Sequence, residues 1–245
     1  MKLIDRYIEA QQQSFARAAS TQRGAIETAA ELIADRVAGG GLVHMYDSGH
    51  IVDSEIINRA GGLALFRQLR YSFSVTNPVP PNRTIEHVKT STETGIGALI
   101  LRQSNIGPND TVIMGSVSGK TANIIDLALA IKEAGIPLIA VTSPAYSSQL
   151  PSEHPSGKRL YEIADLVIDN CAPYGDAQLE VEGLDNKFGP ASGLNAAWLI
   201  WMLSAALIDA LLARGISPTV FGSVNRIGGH EDYAKMVARF NELGY

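Results

Sequence analysis

The sequence predicts an α/β protein, a three-layer sandwich in which a central parallel sheet lies between helix layers, preceded by a helical amino-terminal extension. Short apolar runs at 42–46, 111–115, 137–143 and 165–169 alternate with helical segments at 50–60, 92–104, 120–134 and 191–213. The runs are apolar throughout rather than at every second residue, as expected of strands covered on both faces. No composition break, internal repeat or low-complexity stretch divides the 245 residues. They therefore read as one domain, with 1–38 as the extension and 39–245 as the α/β core with its C-terminal helices.

Taken in order, residues 2–38 read as two helices. Ile26, Ala29, Ala30, Ile33 and Val37 recur at helical spacing, and Gly39-Gly40-Gly41 ends the pattern. The first strand, "LVHMY", carries His44 inside an apolar run, where a partnered core histidine is the expected role. The later strands are "TVIMG", "PLIAVTS" and "DLVID". The stretch from Gly193 to Gly215 is apolar enough to raise the possibility of a membrane span, which takes about 20 residues. Asn195, Ser204 and Asp209 interrupt it and would each need a partner in lipid, so a helix buried in a core or an oligomer interface is expected instead.

With 46% apolar and 18% charged residues the chain has the balance of a globule with a sizeable core. A net charge of -5 and the lack of a basic run argue against a nucleic-acid surface, which must neutralise several phosphates. The single cysteine, Cys171, cannot form an internal disulfide, and "MKLIDRYIEAQQQ" lacks the apolar core of a signal peptide. These features predict a cytoplasmic location.

In an open parallel sheet, ligands bind beyond the carboxyl ends of the strands. That rule selects the loops Asp47–His50, with Ser48 and Gly49, Ser116–Lys120, and Ser143 onward. The second, "GSVSGKT" (115–121), is a near miss of a nucleotide-binding P-loop: only three residues separate Gly115 from Gly119, and Met114 stands where the first glycine belongs. The missing residue removes backbone donors from a triphosphate cradle. A phosphomonoester needs less, because backbone N–H groups at a helix start and the hydroxyls of Ser116, Ser118 and Thr121 can satisfy its three acceptor oxygens without a metal. Lys120 adds a cation beside them. The competing readings are a nucleotide loop, with Asp169 on the acidic strand, and a simple turn.

The loop and the strand after it, "GSVSGKTANIIDLALAIKEAGIPLIAVTS", resemble the second motif of SIS (sugar isomerase) domains, matched at Ser116, Ser118, Gly119 and Thr121. "GLVHMYDSGHIVDSEIINRAGGL" looks like the first motif, and the segments beginning "HPSGKRL" and "GPASGLN" look like later parts of a branch related to phosphoheptose isomerases and N-acetylmuramic acid 6-phosphate etherases. The resemblance implies a flavodoxin-like SIS fold, a phosphorylated sugar as ligand, and a homodimer or larger assembly with the site near the subunit interface. The first loop departs from the usual Gly-x-Gly-x-Ser by reading Asp47-Ser48-Gly49-His50.

Isomerising an aldose to a ketose moves a proton between adjacent carbons, which calls for a base and an acid. The resemblance places a functional glutamate near Glu55, in the helix after the first loop. Glu93 falls where the etherase relatives carry one, although it also reads as a helix-start carboxylate capped by Ser91 or Thr92. His50, beside Gly49, is the candidate proton-transferring imidazole. Lys158, with Ser156 and Arg159, offers charge after the third strand, and Asp169, Asn170 and Asp176 are candidate partners for sugar hydroxyls. No histidine spacing suggests a metal, and no cofactor is expected. An aldose–ketose phosphosugar isomerase is the leading expectation. An amino-sugar-phosphate lyase or etherase and a non-catalytic phosphosugar sensor are the alternatives.

Overall fold

A computed structural model describes residues 1–49, 53–83 and 92–245, without the side chains of residues 53 and 54. The chain opens with α1 (Leu3–Ala38), β1 (Val43–Asp47), α2 (Asp53–Ile56) and β2 (Phe66–Gln68). It continues through α3 (Gly97–Gln103), β3 (Thr111–Gly115), α4 (Ala122–Glu133), β4 (Leu138–Thr142), α5 (Pro144–Ser147), α6 (Leu160–Ile163) and β5 (Leu166–Asp169). A hairpin, β6 (Ala177–Leu179) and β7 (Phe188–Pro190), leads to α7 (Ser192–Ala213) and α8 (Gly229–Leu243).

Five strands form one sheet in the order β2-β1-β3-β4-β5, and every neighbouring pair is parallel. Successive residues of a strand face opposite ways, so each face builds its own core. Met45, Ile113, Ile139, Val141 and Ile168 pack with α1 and α7, whereas Val112, Met114, Leu138 and Ala140 pack with α4 and α6. The expected three-layer parallel sandwich with a helical amino-terminal segment is therefore the observed architecture, and four of its five strands, β1, β3, β4 and β5, lie within a residue or two of the expected runs.

Residues 3–38 form one 36-residue helix rather than the expected two. The polar Ser20 and Thr21 do not interrupt it, because both hydroxyls donate back to the Arg17 carbonyl, at 3.0 and 2.9 Å. The continuous helix gives α7 a long partner. α7 is the one helix among the described residues with the length and apolarity to cross a membrane, at 22 residues and mean hydropathy 1.9. Two of its three polar interruptions find partners within the protein, and the third faces solvent. Asn195, fully buried, donates to Ser14 Oγ and to the Asn170 carbonyl, both at 2.8 Å, and accepts from Gln11 Nε2 at 3.3 Å. Ser204 donates to the Ile200 carbonyl, and Asp209 is exposed. His44 is the expected core histidine, with Nε2 2.9 Å from Asp110 Oδ2.

The helix expected at 92–104 begins at Gly97, with Ile96 as its N-cap residue and no side-chain cap. Its start is held from a distance: the Asp126 carboxylate on α4 accepts from the amides of Gly95, at 2.8 Å, and Gly97. Ser91, one of the two expected caps, lies outside the described residues.

Candidate functional site

In this strand order the direction of winding reverses between β1 and β3, which opens a crevice beyond their carboxyl ends. Asp47 of β1 lies opposite Gly115 of β3, so the loops after the two strands meet there. The Ser48 amide and hydroxyl both donate to the Gly115 carbonyl, at 3.1 and 3.2 Å, which ties the first loop to the end of β3. Gly49 follows with φ +107°, a conformation open to glycine. His50 lies outside the described residues.

The loop from β3 to α4 is rigidly built. The Ser116 amide donates to the Val141 carbonyl at 3.1 Å, and its buried hydroxyl accepts the Gly119 amide at 3.3 Å. Thr142 Oγ1 and the Ser143 amide both donate to the Val117 carbonyl, and Ser147 Oγ donates to the Ser118 carbonyl. Gly119 is required twice over. Its φ is +54°, and a Cβ there would stand 2.9 Å from Leu160 Cβ and 3.3 Å from Thr142 Oγ1. The Gly119 carbonyl accepts the Leu160 amide at 2.8 Å, which closes α6 onto the loop.

With those bonds made, the loop presents two uncommitted hydroxyls. Among the described residues nothing hydrogen-bonds to the side chain of Ser118 or of Thr121, and both residues are half-buried. Thr121 is the N-cap residue of α4 but its hydroxyl does not cap the helix, so the first amides of α4 have no partner within the helix. Hydroxyls, free amides and the positive end of the helix dipole together suit an anion.

The other expected residues fall in different places. Lys120 turns to an ion pair with Glu153, whose amide also bonds the Lys120 carbonyl. Ser143 is buried and committed: its hydroxyl donates to the Ala172 carbonyl at 2.7 Å and accepts the Tyr146 amide. Lys158 is exposed on the loop before α6. Glu55 forms an ion pair with Arg59 one turn on, at 2.8 Å, and Glu93 is exposed four residues before α3. Asp176 accepts from the amides of Ala191 and Ser192 and from Ser192 Oγ, which caps α7. Asp169 Oδ1 accepts the Cys171 amide and Asn170 Oδ1 accepts the Ala172 amide. Burial pushes the Asp169 carboxyl above its ordinary value, against the Cys171 bond and the charge of Arg17. Among the described residues no group of three or more His, Cys, Asp or Glu side chains is placed to hold a metal.

The sequence reading missed one polar group at the crevice. Tyr46, next to the end of β1, stacks on Tyr71 with ring centroids 5.5 Å apart, and the two hydroxyls are 3.2 Å apart. Asn123, in the first turn of α4, donates its Nδ2 to the Tyr71 hydroxyl at 2.9 Å. The one available signal was a polar residue two positions after Thr121.

The SIS domain family matches residues 6–143, which run from α1 past the end of β4 and contain both crevice loops. A UPF0309 protein of Streptomyces coelicolor is 32% identical over 231 residues, 92% of this chain and 90% of its own. Another, of Listeria monocytogenes, is 34% identical over 213 residues, 86% of each chain. A solved phosphoheptose isomerase from Francisella tularensis is similar at a TM-score of 0.48 and 16% identity, covering 87% of this chain and 100% of that one. With more than half of the sequence matched, and the hydroxyl-bearing loop inside the match, the chain belongs to the SIS domain family.

Proposed function

We propose that this protein binds a phosphorylated sugar at the β1/β3 crevice and isomerises it between aldose and ketose. The observation that carries the reading is the pair of hydroxyls, Ser118 and Thr121, that are uncommitted among the described residues and lie at the start of α4, which has no side-chain cap. Membership in the SIS domain family supports the same ligand class. The phosphate would rest on Ser118, Thr121 and the first amides of α4, with Ser116 and Gly119 fixing the loop.

The reaction needs a base to take the proton from the carbon beside the carbonyl and an acid to protonate the carbonyl oxygen. The resulting enediol then takes a proton back at the other carbon, so atoms balance without a co-reactant. Glu55, Glu93 and His50 are the groups proposed for these transfers. Breaking the Glu55–Arg59 pair would free one carboxylate for the role. We also propose a homo-oligomer, formed through α1 and α7. Ile4, Ile8, Leu194 and Trp198 on these helices are 64%, 48%, 46% and 43% exposed, and sedimentation as a monomer at micromolar concentration would exclude it.

The test is a thermal-shift screen of hexose 6-phosphates and pentose 5-phosphates, their unphosphorylated parents, inorganic phosphate and ATP, on wild type and Ser118→Ala. Stabilisation by a sugar phosphate, absent with its parent and lost in Ser118→Ala, is the expected result. Stabilisation by ATP alone would return the loop to nucleotide binding. Incubating the hit with enzyme in deuterium oxide then separates the classes. Deuterium exchange without solvent oxygen marks the isomerase, solvent oxygen incorporated into the product together with deuterium marks a lyase or etherase, and binding with neither marks a sensor.

A further inference from the structure

We propose that Tyr71 contacts the ligand, its phenolic O–H donating to a neutral oxygen of the bound sugar, with Tyr46 and Asn123 as the residues that aim it. The inference rests on the phosphosugar reading above and adds the group that recognises the sugar rather than the phosphate. Three elements bring these side chains to the crevice. Tyr46 lies opposite Met114 of β3, one residue below the strand end, Tyr71 follows β2, and Asn123 sits in the first turn of α4, two residues beyond Thr121.

Hydrogen-bond accounting fixes the direction of the Tyr71 proton. An amide nitrogen can only donate, so Asn123 Nδ2 occupies one lone pair of the Tyr71 oxygen. Tyr46 donates to the same oxygen. Burial, and then this bond to Tyr71, raise the Tyr46 phenol well above its ordinary value, in keeping with a hydroxyl that donates there. The Tyr71 oxygen is then saturated as an acceptor, and its own proton points away from both neighbours. Among the described residues nothing accepts it.

A second observation indicates that this arrangement serves more than stability. Among the described residues, the buried Asn123 Oδ1 has no hydrogen-bond partner, so the amide is held where it satisfies Tyr71 at the expense of its own oxygen. Such orphaned acceptors are uncommon in a folded interior. Tyr71 is nonetheless reachable: it is half-buried and lines a cavity of about 260 Å³ whose walls are apolar at Leu69, Phe73, Leu99 and Ile100 and polar at Arg70, Ser72, Gln103 and Ser104. A fixed donor in a cavity with both apolar and polar walls suits a hydroxyl or carbonyl oxygen on a sugar, whose C–H face can pack on the apolar side while its other hydroxyls meet the polar one.

The test is Tyr71→Phe, which keeps the stacked ring and removes only the hydroxyl. Calorimetry would compare wild type and variant for the hexose or pentose phosphate that wild type binds most tightly, and for inorganic phosphate. The expected result is a Kd about tenfold weaker for the sugar phosphate with phosphate binding unchanged. Asn123→Ala, which lets the Tyr71 hydroxyl rotate, is expected to cost less and again to spare phosphate. Equal affinity of Tyr71→Phe and wild type for the sugar phosphate would overturn the inference, as would an equal loss for both ligands, which would make Tyr71 a support of the loop. In either case a sugar-phosphate affinity lost in Ser118→Ala leaves the phosphosugar reading standing. Wild type that binds no sugar phosphate refutes that reading and this inference together.

Discussion

Replacing Gly119 by alanine tests whether the β3–α4 loop is held in one shape by backbone conformation and close packing together. At φ +54° a β-carbon costs about 1–2 kcal/mol. It would also stand 2.9 Å from Leu160 Cβ, well inside the carbon–carbon optimum of roughly 3.5–4.0 Å. Leu160 cannot swing aside cheaply, because it is fully buried and its amide is bonded to the Gly119 carbonyl. Over-packing of this kind costs about 1–3 kcal/mol, which brings the total to roughly 2–5 kcal/mol. For a chain of this size that corresponds to a fall in melting temperature on the order of 10 °C. Gly40→Ala is the internal control: its φ is +85°, but a Cβ there meets nothing within 4 Å, so it carries the conformational cost alone. Urea denaturation of both variants isolates the packing contribution as their difference, expected to be at least about 1 kcal/mol. Equal destabilisation would show that α6 yields freely and that the loop is less rigid than its hydrogen bonds imply.

Two further predictions concern the interior and the strand ends. Asn195→Ala strands the Gln11 amide and the Asn170 carbonyl in the interior, so it is expected to cost about 2–4 kcal/mol in urea denaturation. Ser204→Ala, which loses only a bond to its own helix, should fall below about 1 kcal/mol; similar costs for the two would refute the network. Burial raises the pKa of Asp169 in the folded protein above the ordinary value of 3.8. The stability tied to its neutral form is therefore complete below 3.8 and is lost as pH rises through the folded value. Asp169→Asn keeps the acceptor for the Cys171 amide and cannot ionise, so it should be more stable than wild type at neutral pH, by a margin that shrinks on acidification. A margin independent of pH would locate the effect elsewhere.

What could be read in the sequence was what local chemistry encodes. The runs that became β1, β3, β4 and β5 were visible because a strand covered on both faces must be apolar throughout. The loop after β3 was visible because a glycine and three hydroxyls at a helix start leave a local mark. What escaped depended on contacts between distant residues. β2 is three residues long, with only Phe66 buried, too short for any periodicity. The start of α3 was misread because its cap is the Asp126 carboxylate, 29 positions from the Gly97 amide it holds. A search for a neighbouring Ser or Thr could not find it.

The same division runs through the proposed site. Ser116, Ser118, Gly119 and Thr121 are consecutive or nearly so, and the demands of a phosphate are met within one turn of chain. The sugar wall is assembled laterally: Tyr46 and Tyr71 are 25 positions apart, and Tyr71 and Asn123 are 52 apart. They meet because β2 pairs with the outer edge of β1 while α4 follows β3 on its other side. Phosphate binding and sugar recognition therefore rest on separable parts of the fold. Substitutions in the loop should weaken every phosphorylated ligand alike, whereas substitutions at Tyr71 or Asn123 should change the ranking among sugars, so ligand ranking, rather than affinity alone, distinguishes the two parts.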